Sequence, residues 1–214
     1  MNPQLTPLDP QQRPDLFVDM LAVVPDIQLD LKYLTGDNFV GDQIDGYATE
    51  LCLITRPAAN ALARVQQALA EFGLGLKVFD AYRPQRSVDH FLRWSEDHDD
   101  VRHKAVYYPS LAKPELFSKG YLVQHSSHSR GSTVDLTIID KTSGEELEMG
   151  TCFDFFGPES WIDCQTISAQ ARANRLLLQH LMVQHGFVPF HHEWWHFTLQ
   201  DEPYPQTCFD FPIA

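Results

Sequence analysis

The sequence predicts an α+β fold, a single compact domain over residues 1–214 with a central, mainly antiparallel sheet flanked by helices. Three observations carry this. The chain has 214 residues, about the length of one domain rather than two. Segments with period-two alternation interleave with segments at helical spacing, the pattern of sheets and helices sharing one core. Neither an internal repeat, a low-complexity tract nor a linker interrupts them. Hydrophobic residues at 43% and aromatics at 12% supply enough apolar surface for that core, far from the composition of disordered chains.

Residues 1–25, rich in Pro, Gln and Asp, are expected to form an N-terminal arm lying over a surface. Ile27, Leu29, Leu31 and Tyr33 alternate with polar neighbours and predict a strand. Gly36 to Gly46 reads as a loop. Pro57 suits a first helical position, and Leu62, Val65, Leu69 and Phe72 recur at helical spacing before Gly73 ends the run. Leu74 to Asp80 is a short apolar strand that stops before Arg83-Pro84, since the residue ahead of proline is pushed out of helical geometry. Gln85 to about His98 predicts a second helix with Val88, Phe91, Leu92 and Trp94 inward, followed by a long loop over 99–124, a length more often functional than idle. Val134, Leu136 and Ile138 mark another strand. Thr166 is placed to cap a third helix with Ala169, Ala173, Leu176, Leu177 and Leu181 inside, closed by Gly186. Phe187 to Leu199 then forms an aromatic-rich strand pair.

Charge and cysteine content exclude several functions. Lys+Arg 16 against Asp+Glu 29 gives a net charge of −13, which repels phosphate backbones and anionic lipid, so neither nucleic acid nor membrane is an expected partner. Residues 1–7 lack a basic stretch followed by an apolar run, and no window approaches the length of a spanning helix; the expected location is cytoplasmic. The four cysteines, Cys52, Cys152, Cys164 and Cys208, form no C-x-x-C pair and read as free thiols.

The chemistry concentrates in two segments. In Ser126-Ser127-His128-Ser129-Arg130-Gly131-Ser132-Thr133-Val134-Asp135, a histidine before a glycine turn precedes an aspartate on an apolar strand. Asp135 points away from Val134 and Leu136, so its carboxylate must be paired or bound to a metal. A salt bridge to Arg83 or Arg130 satisfies it as simply as a metal does. Near the C-terminus, Glu193-Trp194-Trp195-His196 offers a second histidine with an acid three residues before it; alone, that box also reads as core packing. Together, His128, Asp135 and His196 supply two imidazoles and a carboxylate, the set that leaves zinc an open fourth position for water, with the pKa of that water brought toward about 7. Glu193 then suits a general base, provided the strand is bent or bulged between Glu193 and His196. Arg83, in Asp80-Ala81-Tyr82-Arg83-Pro84, is the candidate oxyanion donor, with Asp80 as the carboxylate that orients it, an arrangement that would equally serve as a structural ion pair. His125, His191 and His192 stand close enough in sequence to serve as alternatives to the chosen histidines.

These segments together resemble the D-alanyl-D-alanine dipeptidases, the vancomycin-resistance type of zinc dipeptidase within the zinc D,D-peptidases. The likeness runs from Asp30-Leu31-Lys32-Tyr33 and Asp37-Asn38-Phe39 through the arginine and histidine motifs and Met149-Gly150-Thr151-Cys152-Phe153-Asp154-Phe155 to Glu193-Trp194-Trp195-His196-Phe197. It implies a zinc D,D-peptidase-like fold, one Zn2+ per chain on His128, Asp135 and His196, Glu193 as the base and Arg83 on the oxyanion. It further implies a free D,D-dipeptide substrate contacted by Tyr33, Ser126 and Asp154. Each of these three also has a plain structural reading: Tyr33 as core, Ser126 as a bond to the following turn, and Asp154 as a turn cap. Two rival functions keep parts of this chemistry, a zinc D,D-carboxypeptidase or endopeptidase on peptidoglycan peptides and a catalytically silent zinc-containing binder of wall fragments. The pairing of Glu193 with Arg83 argues against the silent binder, and the absence of an export signal against the wall enzyme.

Overall fold

Five strands form the central sheet in the order β2-β4-β5-β7-β6, and every neighbouring pair is antiparallel except β2 with β4. The computed structural model describes residues 8–214; the first seven residues of the expected arm lie outside them. β1 (Phe17–Asp19) pairs antiparallel with β3 (Leu53–Thr55) as a separate two-stranded ribbon. The arm therefore enters the core, with Phe17, Met20 and Val24 buried.

β2 is only Gln28–Leu29, shorter than the alternation from Ile27 to Tyr33 suggests, because Lys32–Leu34 coils into a 3-10 turn that carries Tyr33 inward. α1 (Arg56–Ala70) buries Leu62, Val65 and Leu69, while Phe72 lies past its end and is exposed. β4 (Leu74–Asp80) and β5 (Thr133–Asp140) form the centre of the sheet. α2 (Gln85–Glu96) buries Val88, Phe91 and Trp94 and leaves Leu92 at the margin. The long loop is partly helical, with α3 (Lys104–Tyr107) and α4 (Lys113–Ser118) inside it.

α5 (Ala169–Gln184) differs most from expectation. Its cap is Ser168, whose Oγ accepts the Ala171 N–H at 3.0 Å, while Thr166 sits 3.2 Å from Cys164 Sγ. The helix turns Ala171, Asn174, Arg175, Leu178 and Met182 inward and leaves Ala173 and Leu176 exposed. The physical reason is hydrogen bonding: Asn174 and Arg175 donate to backbone carbonyls of Glu148 and Met149, and buried carbonyls need such partners. β6 (Phe187–Phe190) and β7 (Glu193–Leu199) complete the sheet. All four cysteines are free thiols. Among the described residues no helix is long and apolar enough to cross a membrane.

Candidate metal centre and its cavity

Two irregularities in the sheet assemble the site. Between β4 and β5 the register shifts after Val78, which sets Asp80 opposite Asp135. Asp135 in turn pairs with His196 on β7, so three polar side chains line up across three strands. Between β6 and β7 the partners run from Pro189 with Phe197 to Phe190 with Glu193, leaving Trp194 to His196 bulged. This break lets Glu193 and His196 meet on one side, with Glu193 Oε2 3.5 Å from His196 Nδ1.

His128 arrives on a 3-10 turn, Ser127–Arg130, that ends at Gly131. Gly131 has φ +82°, and a Cβ there would stand 2.2 Å from the Phe17 ring, so neither the backbone nor the space admits another residue. The expected arm is thus a wall behind this turn.

The nitrogens and oxygens of His128, Asp135 and His196 lie within 4.8 Å of one another. His128 Nδ1 is 2.7 Å from the Ala81 carbonyl, to which it donates, and this leaves a lone pair on Nε2. His196 Nε2 lies 3.3 Å from Ser127 Oγ, and its Nδ1 faces the other two residues of the group. His128 Nε2 and His196 Nδ1 are 3.2 Å apart; Asp135 Oδ2 is 3.2 Å from His128 Nε2, and Asp135 Oδ1 is 3.1 Å from His196 Nδ1. Asp135 Oδ1 is buried without a hydrogen-bond donor. Burial holds the His196 imidazole below its usual pKa, which favours the neutral ring. Two imidazoles and a buried carboxylate converging on one point, with Asp135 Oδ1 lacking a donor, form a set that fits a metal of zinc's preferences.

Arg83 bridges the two aspartates, Nε donating to Asp80 Oδ2 at 2.8 Å and Nη2 to Asp135 Oδ2 at 3.3 Å. Asp135 therefore makes the expected salt bridge to Arg83 while standing in the His/Asp/His group, and Arg130 pairs with Glu202 instead. Among the described residues nothing accepts from Arg83 Nη1, and Arg83 lines the cavity. Asp80 Oδ1 accepts from Tyr47 Oη at 2.6 Å. Tyr47 carries no sequence signal, because its partner stands 33 residues away and only the fold joins them.

The cavity has a volume of about 410 Å³ and is lined by Tyr33, Arg83, Ser126, His128, Asp135, Asp154, Glu193 and His196 among others. Asp154 Oδ2 accepts from Tyr33 Oη at 2.8 Å, so both do more than cap or fill. Ser126 Oγ accepts the His128 N–H at 3.2 Å, the structural role that sequence allows it, while still facing the cavity. Burial, then the carboxylates of Asp135 and Asp154, push Glu193 well above the usual carboxylate range; burial and Asp135 do the same to Asp154. Asp80, Asp135, Asp154 and Glu193 are all buried around a single guanidinium, and burial raises Asp80 as it does Asp154 and Glu193. His125 hydrogen-bonds Gln85, His191 faces Asp163 and His192 stacks on Trp161, so none of the three joins the centre.

The family model described as D-ala-D-ala dipeptidase matches residues 14–214. A D-alanyl-D-alanine dipeptidase of Streptomyces coelicolor is 46% identical over 92% of this chain and 97% of its own length. Proteins of the same name from Enterococcus faecalis and Enterococcus faecium are 41% and 40% identical, each covering at least 92% of this chain and 98% of the relative.

Proposed function

Since the chain belongs to the D-alanyl-D-alanine dipeptidase family, we propose that its cavity hydrolyses the free dipeptide with a zinc ion held by His128, Asp135 and His196. The observation that carries the zinc assignment is the convergence of two imidazoles and a buried carboxylate on one point, with Asp135 Oδ1 lacking a hydrogen-bond partner. What zinc supplies when bound there is Lewis acidity, enough to bring the pKa of water toward about 7.

The protein's own groups do the rest. The Glu193 carboxylate makes no hydrogen bond to a described residue, and its raised pKa suits a base that removes a proton from water and returns it to the leaving amine. Water oxygen joins the carbonyl carbon, the C–N bond breaks, and the proton held at Glu193 ends on the freed amino group. Arg83 Nη1 meets the oxygen on which negative charge develops, held by Asp80 and by the Tyr33 ring 4.9 Å from its guanidinium carbon. Asp154, steadied by Tyr33 Oη, receives the substrate ammonium; this selects a free amino terminus because a blocked amine brings no positive charge to the buried carboxylate. Ser126 contributes its place on the cavity wall beside His128.

Release of D-alanine from D-Ala-D-Ala, measured with and without a chelator, tests this assignment against L-Ala-L-Ala and N-acetyl-D-Ala-D-Ala. Chelator-sensitive cleavage of the free D,D-dipeptide alone is expected. Cleavage of the blocked peptide would make the protein a carboxypeptidase, and inert zinc-loaded protein would make it a binder. Arg83→Ala should lower kcat by roughly 10² to 10³, and an effect confined to KM would move Arg83 to substrate binding. Tyr47→Phe should lower kcat about tenfold by loosening Asp80 beneath Arg83, measured beside an unchanged zinc content.

A further inference from the structure

Arg175 is an expensive residue to bury. It is 4% exposed, and among the described residues no carboxylate lies within ion-pair distance of its guanidinium. A buried charge without a counter-ion is destabilising, and an apolar side chain of similar size often serves the fold better. The bonds Arg175 does make are therefore informative. Nε donates to Met149 O at 2.6 Å and Nη1 to Trp161 O at 3.0 Å, so one side chain of α5 holds both ends of the segment between those residues.

That segment carries Asp154 near its middle. Asp154 is the one described residue other than glycine with a positive φ, +60°, in the left-handed region that aspartate adopts more readily than most side chains but that still costs more than for glycine. Within the segment, Thr151 Oγ1 accepts from Trp194 Nε1 at 2.9 Å and lies 2.9 Å from Ser160 Oγ, which donates to Phe155 O at 2.6 Å. Trp194 follows Glu193 directly and places its ring 5.7 Å from the Arg175 guanidinium carbon. The clasp thus ties the segment of Asp154 to the strand of Glu193 from the side away from the cavity. Glu193 is also held by its pairing with Phe190, whereas the bond of Asp154 to Tyr33 is the single side-chain bond it makes.

We propose that Arg175, through Thr151 and Trp194, is a positioning residue that fixes the Asp154 carboxylate where the substrate ammonium binds. The proposal rests on the assignment of Asp154 as the ammonium partner. Loss of the clasp moves Asp154 and spares the metal donors, so it acts on substrate binding more than on turnover.

The test is a double-mutant cycle in the zinc-loaded enzyme with D-Ala-D-Ala, using Arg175→Met, Asp154→Asn and their combination. Arg175→Met should raise KM about tenfold, with kcat changed less and zinc content intact. In the Asp154→Asn background the same substitution should change KM less than about twofold, since the group it positions is already gone. Thr151→Val, which removes the hub oxygen at nearly constant shape, should repeat the pattern and stands in if Arg175→Met does not fold. A raised KM in Asp154→Asn beside an unchanged KM in Arg175→Met and Thr151→Val overturns the clasp alone. So does an effect of Arg175→Met that persists in full without the Asp154 carboxylate. An unchanged KM in Asp154→Asn overturns the ammonium assignment first, and the clasp with it.

Discussion

Glu193→Gln is expected to lower kcat by roughly 10² to 10⁴ while zinc stays at one per chain. Glutamine keeps the volume and both polar atoms of the side chain but cannot take a proton, so the change isolates proton transfer from packing. The geometry gives the direction. Glu193 Oε2 stands 3.5 Å from His196 Nδ1, near enough to meet a water at the metal centre but outside the three-residue donor set. Its carboxylate has no hydrogen-bond donor from the described protein, and burial with the nearby Asp135 and Asp154 charges holds its pKa well above the usual carboxylate range. Kinetics with D-Ala-D-Ala and metal analysis of the same preparation check both halves. Zinc loss matching that of His196→Ala would make Glu193 a ligand and end its role as base.

The meeting of His128, Asp135, His196 and Glu193 was partly legible in sequence because it depends on short spacings. His128 and Asp135 flank one glycine turn, Glu193 and His196 share one strand, and each pair survives whatever the rest of the chain does. What spacing cannot carry is the register between strands. That Asp80 stands opposite Asp135 follows from a shift after Val78, and that Asp135 meets His196 follows from the β5–β7 ladder; neither leaves a local trace. Tyr47 was invisible for the same reason, its hydroxyl meeting Asp80 only once the sheet has formed.

Other misreadings came from treating polarity as a guide to exposure. Helical spacing puts Leu176 inside, yet the helix turns Arg175 inward and leaves Leu176 65% exposed. The carbonyls of Met149 and Trp161 decide the matter, because leaving them unsatisfied would cost more than exposing one leucine. Alternation puts Tyr33 at the end of a strand, whereas its bond to Asp154 favours a turn that delivers the hydroxyl to the cavity. In each case a polar group with a distant partner overrode the local pattern.

The second large effect is expected in stability rather than rate. Zinc at about a hundredfold excess over its dissociation constant should stabilise the folded wild-type protein by about 2.7 kcal/mol, through preferential binding to the native state. For a chain of this size that corresponds to a rise in Tm of roughly 5 to 10 °C. In His128→Ala the rise should vanish together with activity. The substitution removes the Nε2 donor and also the Nδ1 contact to Ala81 that fixes the tautomer, leaving Asp135 and His196 short of the three ligands that zinc sites require. Weak zinc binding to cysteines and histidines of the unfolded chain would lower the shift similarly in both proteins, so their difference reports the native site. Glu193→Gln should show the full wild-type rise, since it removes no donor. An equal rise in His128→Ala would mean that zinc stabilises this chain from somewhere else, and the centre built by His128, Asp135 and His196 would lose its metal.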